Sequence, residues 1–122
     1  MSQPDLGPVY RSMAKVMNAT AEKVRKEIEK LREKIRERLP KKQCDRFDKD
    51  WEKAKDSKGQ KRAAIVMLGR VADDIIDVGD QIDPSYAAAE QELWALVELL
   101  RALESIEGMK HHLNDLAEAF GA

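Results

Sequence analysis

The chain has 122 residues, of which 37% are charged and 5% aromatic, and its formal net charge is −1. This length fits one domain, and this residue usage is typical of long helices rather than of sheets. The single cysteine excludes an intramolecular disulfide. No apolar run approaches the roughly 20 residues that cross a bilayer, and the first ten residues lack the features of a signal peptide. We therefore expect a cytoplasmic protein without membrane contact.

The first predicted helix begins at Pro8 and ends at Leu39. Proline suits the first helical position, because its missing N–H would have no partner there, and Pro40 prevents the helix from continuing. Apolar residues recur at steps of three and four, the period of a helix with one buried face. We assign to this face Val9, Met13, Val16, Met17, Thr20, Val24, Ile28, Leu31, Ile35 and Leu39.

The second helical segment begins near Lys41 and continues to about residue 82. Cys44, Phe47 and Trp51 share one apolar face, so we interpret the cysteine as a core residue. The stretch DSKGQ, residues 56–60, interrupts the pattern, because glycine costs about 1 kcal/mol in a helix interior and Ser57 followed three residues later by glutamine fits a capping box. This predicts a kink or a break, and hence three helices or four.

The last helix is predicted to begin at Asp83-Pro84, where aspartate fits the N-cap and proline the first helical position. Apolar residues then repeat from Leu93 to Phe120, with a phase shift near Ser105. Short connections make neighbouring helices antiparallel. We therefore predict an all-α protein, with an N-terminal tail at residues 1–7 and one elongated up-down helical bundle at residues 8–122. Apolar stripes left open by a slim bundle also permit a homodimer.

The small net charge conceals two halves of opposite sign. Residues 22–62 contain 17 basic and 10 acidic residues, whereas residues 63–122 contain 3 basic and 12 acidic residues. Two interpretations follow. The halves neutralise each other as antiparallel helices, or each half faces a different partner.

The aspartates of the second segment suggest a metal site. Asp73, Asp74 and Asp77 spell D-D-x-x-D, and Mg²⁺ prefers oxygen ligands of this kind. The spelling resembles the aspartate-rich motif of isoprenoid diphosphate synthases, and the resemblance implies that these residues would hold Mg²⁺ and a substrate diphosphate. The same spacing arises on the wet face of an acidic amphipathic helix, and only two cations follow Arg70 to meet a diphosphate.

Two further patterns are weaker indications of a metal. Asp77 and Asp80 resemble the paired acids with which all-α nucleotide pyrophosphatases hold Mg²⁺, although their residue types and spacing differ. Glu107, His111 and Asp115 lie four residues apart on one helix face, whereas a zinc site takes three or four well-placed ligands. A solvated surface explains both patterns more simply, so we expect no cofactor and no resident metal.

We expect a non-enzymatic protein-interaction module, such as an adaptor, regulator or inhibitor, that presents charged helical surfaces to another protein. One alternative is a nucleic-acid-binding accessory protein, although acids interrupt the basic residues and no aromatic platform accompanies them. A weaker alternative is a Mg²⁺-dependent enzyme acting on diphosphates or nucleotides. The candidate partner-binding residues form a basic tip of Arg36, Arg38, Lys41, Lys42 and Arg46, and an acidic strip of Asp73, Asp77 and Asp80.

Overall fold

The computed structural model describes residues 5–78 and 84–120, with side chains through residue 75 in the first range. These residues form four helices and no strand: α1 Gly7–Arg38, α2 Lys41–Lys53, α3 Ser57–Val78 and α4 Pro84–Phe120. The predicted all-α bundle is confirmed. The second predicted helix is divided, so the count is four. The predicted N-cap Asp83 lies outside the described residues.

The boundaries of α1 follow from local chemistry. Its backbone begins at Gly7, one residue before the predicted Pro8, and the Gly7 N–H donates to the Asp5 carboxylate at 2.9 Å. It ends at Arg38, one residue before the predicted Leu39, which has an extended backbone with φ −107° and ψ 153°. The proline that follows disfavours a helical conformation at Leu39.

The break between α2 and α3 corrects the predicted capping box. The Gly59 N–H donates to the Asp56 carboxylate at 2.8 Å, so Asp56 is the capping residue. The Ser57 hydroxyl, which we predicted as the cap, instead donates to Glu107 of α4 at 2.8 Å. A Cβ at Gly59 would lie 3.0 Å from the Cβ of Ala54, so glycine permits the close approach of the chain before the break.

α4 is the helix along which both α1 and α3 pack. α2 packs chiefly against α3. The antiparallel direction of the α1–α4 pair is fixed by ion pairing of Arg38 with Glu92 at one end and by contact of the Tyr10 and Phe120 rings at the other. The core where all four helices meet includes Ile28, Ile35, Phe47, Trp51, Met67, Val71, Leu93, Leu96 and Leu100.

One end of the α1–α4 pair extends beyond the other two helices. The first residue of α3, Ser57, lies opposite Glu107, so the later residues of α4 pack against α1 alone. We call residues 6–21 and 108–120 the arm, and the remaining described residues the body. Side chains buried in the arm are mostly small, namely Gly7, Ala14, Ala21, Leu113 and Ala117.

The predicted burial of α1 is wrong in the arm. Val9, Met13 and Val16 are 53%, 45% and 60% exposed, although we assigned them to the buried face; Thr20 is exposed as well. The buried positions are Gly7, Ala14 and Ala21 in the arm, followed in the body by Ile28 and Ile35, which were predicted, at steps of seven. A strict seven-residue repeat is the pattern of coiled-coil packing, and small residues let the two helices approach closely.

Candidate functional site

Two of the five predicted basic-tip residues are paired within the molecule. Arg38 donates twice to the Glu92 carboxylate, at 2.7 and 2.8 Å. Arg36 donates to Asp48 at 3.0 Å, and this hydrogen bond raises the pKa of the Arg36 guanidinium above its ordinary value. Both cations therefore tie helices together, and their charge is partly neutralised.

The other three basic-tip residues, Lys41, Lys42 and Arg46, are exposed on α2 and make no ion pair with any described residue. Lys41 and Lys42 occupy the first turn of α2. This turn contains no acid, and the N-cap residue, Pro40, has no side-chain acceptor for the first N–H groups of the helix. A helix N-terminus carries a partial positive charge. The two lysines add to this charge instead of cancelling it.

The acidic strip is only partly described. Asp73 is exposed on α3. The side chain of Asp77, the third member of the D-D-x-x-D motif, and the whole of Asp80 lie outside the described residues. Asp74, the second member of the motif, accepts a hydrogen bond from the Gln43 amide at 2.6 Å.

The two predicted surfaces meet in one cleft between α2 and α3. Because these helices are antiparallel, the start of α2 lies beside the later part of α3. The cleft has a volume of about 200 Å³, and its charged residues have both signs. Its lining residues are Gln43, Arg46, Met67, Arg70, Asp73 and Asp74.

Ion pairs between the helices connect the two charge halves. Arg25 pairs with Glu107 at 3.1 Å, and Lys61 pairs with Glu104 at 2.6 Å. Together with the pair between Arg38 and Glu92, these contacts show basic residues of the first half meeting acids of α4. The opposite charges of the two halves therefore partly neutralise each other across the bundle, as in the first of the two interpretations.

The predicted weak metal face is not assembled. The Glu107 carboxylate is held by Ser57 and Arg25, and His111 lies 3.5 Å from Asp115 with both side chains mostly exposed. No group of three His, Cys, Asp or Glu residues within the described ranges could hold a metal ion.

A second cleft, which the sequence did not predict, lies where α1 and α4 meet the α2–α3 connection. Its volume is about 380 Å³, and Trp51, Ser57 and Glu107 are among its lining residues. The guanidinium of Arg32 lies 4.3 Å from the centre of the Trp51 ring and donates to Asp48 at 3.0 Å. The side chains of Arg32, Trp51 and Asp48 thus stabilise one another between α1 and α2. The sequence did not indicate this cluster, because only the fold brings the two helices together.

The thiol of Cys44 is buried, as its place on the apolar face of α2 predicted. Its sulfur lies 3.6 Å from the carbonyl oxygen of Leu39, and burial, followed by the nearby Asp48 carboxylate, raises the pKa of the thiol above its ordinary value. The thiolate, which is the reactive form, is therefore disfavoured.

The described helices contain no stretch that is both long and apolar enough to pass through a membrane. Comparison with protein-family models, with curated proteins and with solved structures finds no match to the chain.

Proposed function

We propose that the chain is a small non-enzymatic module that binds an acidic surface of another protein through the free part of its basic tip, Lys41, Lys42 and Arg46. The observation that supports this proposal is the placement of two unpaired lysines at the N-terminus of α2. Cations at that end of a helix are unfavourable, and the sequence places no acid there to offset them. An acidic partner would supply the missing negative charge.

The outer face of α2 favours a protein partner over nucleic acid. Two of the free cations, Lys42 and Arg46, line a shallow depression of about 500 Å³, in which acids and bases alternate along the helix. A polyphosphate backbone would be repelled by these acids, whereas a protein surface can place its own bases opposite them. The residues that line the depression are Lys42, Asp45, Arg46, Asp48, Lys49 and Glu52.

Binding of this kind would act mainly through electrostatic steering. Exposed charges accelerate the encounter of two proteins and select against partners of like charge, and salt screens this effect. We therefore expect the association rate to fall as salt concentration rises. A few apolar contacts of the partner would supply most of the affinity.

The test is a double charge reversal at the basic tip. The partner is captured by cross-linking in the cells that contain the protein, identified by mass spectrometry, and titrated calorimetrically with the wild-type chain and with K41E/K42E. We expect the double variant to weaken binding about tenfold or more, because like charges then face each other across the interface.

The matched control is K23E/K26E. These lysines are exposed on α1, make no ion pair with the described residues, and give the same change of net charge. Equal loss of affinity in both variants would contradict a specific role of the tip, and tighter binding of duplex DNA or RNA than of the protein would favour the nucleic-acid alternative. A rise in melting temperature with Mg²⁺ that Asp73→Asn abolishes would contradict the non-enzymatic proposal.

A further inference from the structure

The arm exposes large apolar side chains on both of its helices. Their exposed fractions range from 38% to 60%, which is unusual for so many large apolar residues close together on a monomer. We call this set the apolar strip. It consists of Leu6, the N-cap residue of α1, with Val9, Met13 and Val16 of α1 and Met109 and Phe120 of α4.

Helix geometry places the α1 members on one side. At about 100° per residue, the four α1 residues fall within an arc of about 80°, on the side of α1 opposite to Arg11 and Lys15. Those two cations line a polar groove of about 450 Å³ together with Lys110 and Asn114 of α4. The apolar strip and the polar groove therefore lie on opposite sides of α1.

The α4 members lie on the same side of the arm as those of α1. Met109 and Phe120 lie about three turns apart on α4, within about 20° of each other around its axis and about 80–100° away from Lys110. They are hence on the flank of α4 that faces away from the polar groove. The Tyr10 and Phe120 rings lie 6.4 Å apart, which joins the two helices at the end of the arm. The strip therefore has members on the same flank of both helices.

The arm has its small residues inside and its large apolar residues outside. Between its helices lie glycine and alanine at three successive positions of the seven-residue repeat, about two turns apart. The arm therefore buries little apolar surface by itself. Farther along α1, Lys23, Glu27 and Lys30 occupy the positions that continue the strip. The strip on α1 therefore ends within the arm, and the other exposed large apolar residues, Ile65, Val66 and Trp94, lie on α3 and α4 of the body.

We infer that the apolar strip is a contact between two copies of this chain, which pair arm to arm as a four-helix bundle. Six side chains that are each about half exposed, at roughly 150–200 Å² for full exposure, present about 500 Å² per copy. Two copies together bury about 1,000 Å², the lower bound for a specific interface, before the polar rim is counted.

The composition of the strip fits pairing with itself. A two-fold contact brings the same patch of both copies together, so a charged patch would repel its copy. The strip contains no charged side chain, and Arg11 and Lys15 are the only charged residues between Asp5 and Glu22. Both of these cations point toward the polar groove, away from the contact.

The experiment is sedimentation of the full chain over a range of concentrations, for the wild type, Val16→Lys and Val66→Lys. Val66 is the matched control, because it is a similarly exposed valine in the body, on α3. We expect the wild type and Val66→Lys to form dimers, and Val16→Lys to raise the dimer dissociation constant at least about tenfold. A wild type that stays at 13.9 kDa up to about 1 mM, or equal weakening by both lysines, would overturn the inference.

A second measurement separates loss of pairing from loss of folding. The melting temperature of a dimer rises with protein concentration, so we expect this rise in the wild type and its loss in Val16→Lys at unchanged helix content. A concentration-independent melting temperature in all three chains would also overturn the inference. Because Lys41 and Lys42 lie outside the arm, failure of this test leaves the proposed binding at the basic tip unaffected, and the reverse also holds.

Discussion

Cys44 illustrates how the surroundings of one residue set its chemistry. The side chain is 8% exposed, its sulfur faces the Leu39 carbonyl oxygen, and burial raises the pKa of its thiol. The folded state therefore holds the thiol proton more tightly than the unfolded state does. A raised pKa of this kind contributes stability that is complete below the pKa of the unfolded chain and is lost as the pH rises through that of the folded state.

For Cys44 this gives a pH dependence of stability. The free energy of unfolding of the wild type should exceed that of Cys44→Ala by a margin that is constant below about pH 8.5, the pKa of a free cysteine, and shrinks above it. Urea denaturation of both proteins between about pH 7 and about pH 10 measures this margin. A margin that stays constant over the whole range would contradict the prediction, as would a thiol reagent that reacts equally fast with the native and the urea-unfolded protein.

The sequence predicted where the basic-tip residues lie, but not which of them form ion pairs within the molecule. The cations do gather around the α1–α2 turn, because Pro40 ends the first helix within one residue of the predicted end. The acids that neutralise Arg36 and Arg38 lie 12 and 54 residues farther along the chain. Such pairs depend on how helices pack, and no local pattern contains that information.

At the scale of the helix, the break between α2 and α3 depends on one carboxylate. The capping-box pattern favoured Ser57 with Gln60. The structure instead uses Asp56, whose carboxylate accepts from the Gly59 N–H, and the hydroxyl of Ser57 donates to Glu107 of a distant helix.

Removal of this cap should therefore destabilise the protein. We expect Asp56→Ala to lower the free energy of unfolding by about 1 kcal/mol, the usual cost of losing an N-cap. Asp45→Ala is the control, since Asp45 is exposed within α2 and accepts no hydrogen bond from the described residues. Thermal and urea unfolding give both values, and equal effects of the two substitutions would contradict the assignment of Asp56 as the cap.

α1 shows why periodicity alone assigned the wrong face. Its apolar residues cover two neighbouring arcs in the arm, one of glycine and alanine and one of larger side chains. Apolar residues at steps of three and four positions occur on both arcs. Because the larger side chains are more hydrophobic, the sequence pattern favours their arc as the buried one. The structure buries the smaller ones, because two helices that pack without a third gain most from close approach. In the body, where more helices meet, Ile28 and Ile35 were assigned correctly.

At the scale of the molecule, the body and the arm differ in how their core is built. Leu100 in the body lies on the part of α4 that α1 and α3 both cover, whereas Leu113 in the arm faces α1 alone. Both side chains are buried. The cost of removing a buried side chain depends on how far its surroundings can collapse, and a two-helix arm can adjust more readily than a four-helix body.

Two leucine truncations on the same helix test this difference. We expect Leu100→Ala to lower the free energy of unfolding by about 3–5 kcal/mol and Leu113→Ala by about 2–3 kcal/mol, within the range for buried leucines. Urea denaturation at a low protein concentration, where any dimer dissociates, measures both values. A larger loss for Leu113→Ala than for Leu100→Ala would contradict the distinction between body and arm.

The pairing of the first helix with the last constrains how the chain folds. The contacts of Arg38 with Glu92 and of Asn18 with Lys110 join residues 54 and 92 positions apart, whereas those between α2 and α3 span 20 to 31 positions. The entropy lost on closing a loop grows with its length, and remote contacts slow folding. Each helix can form locally, but the packing of α1 on α4 requires the closure of long loops. A bundle in which each helix packs on the next one along the chain avoids such closures.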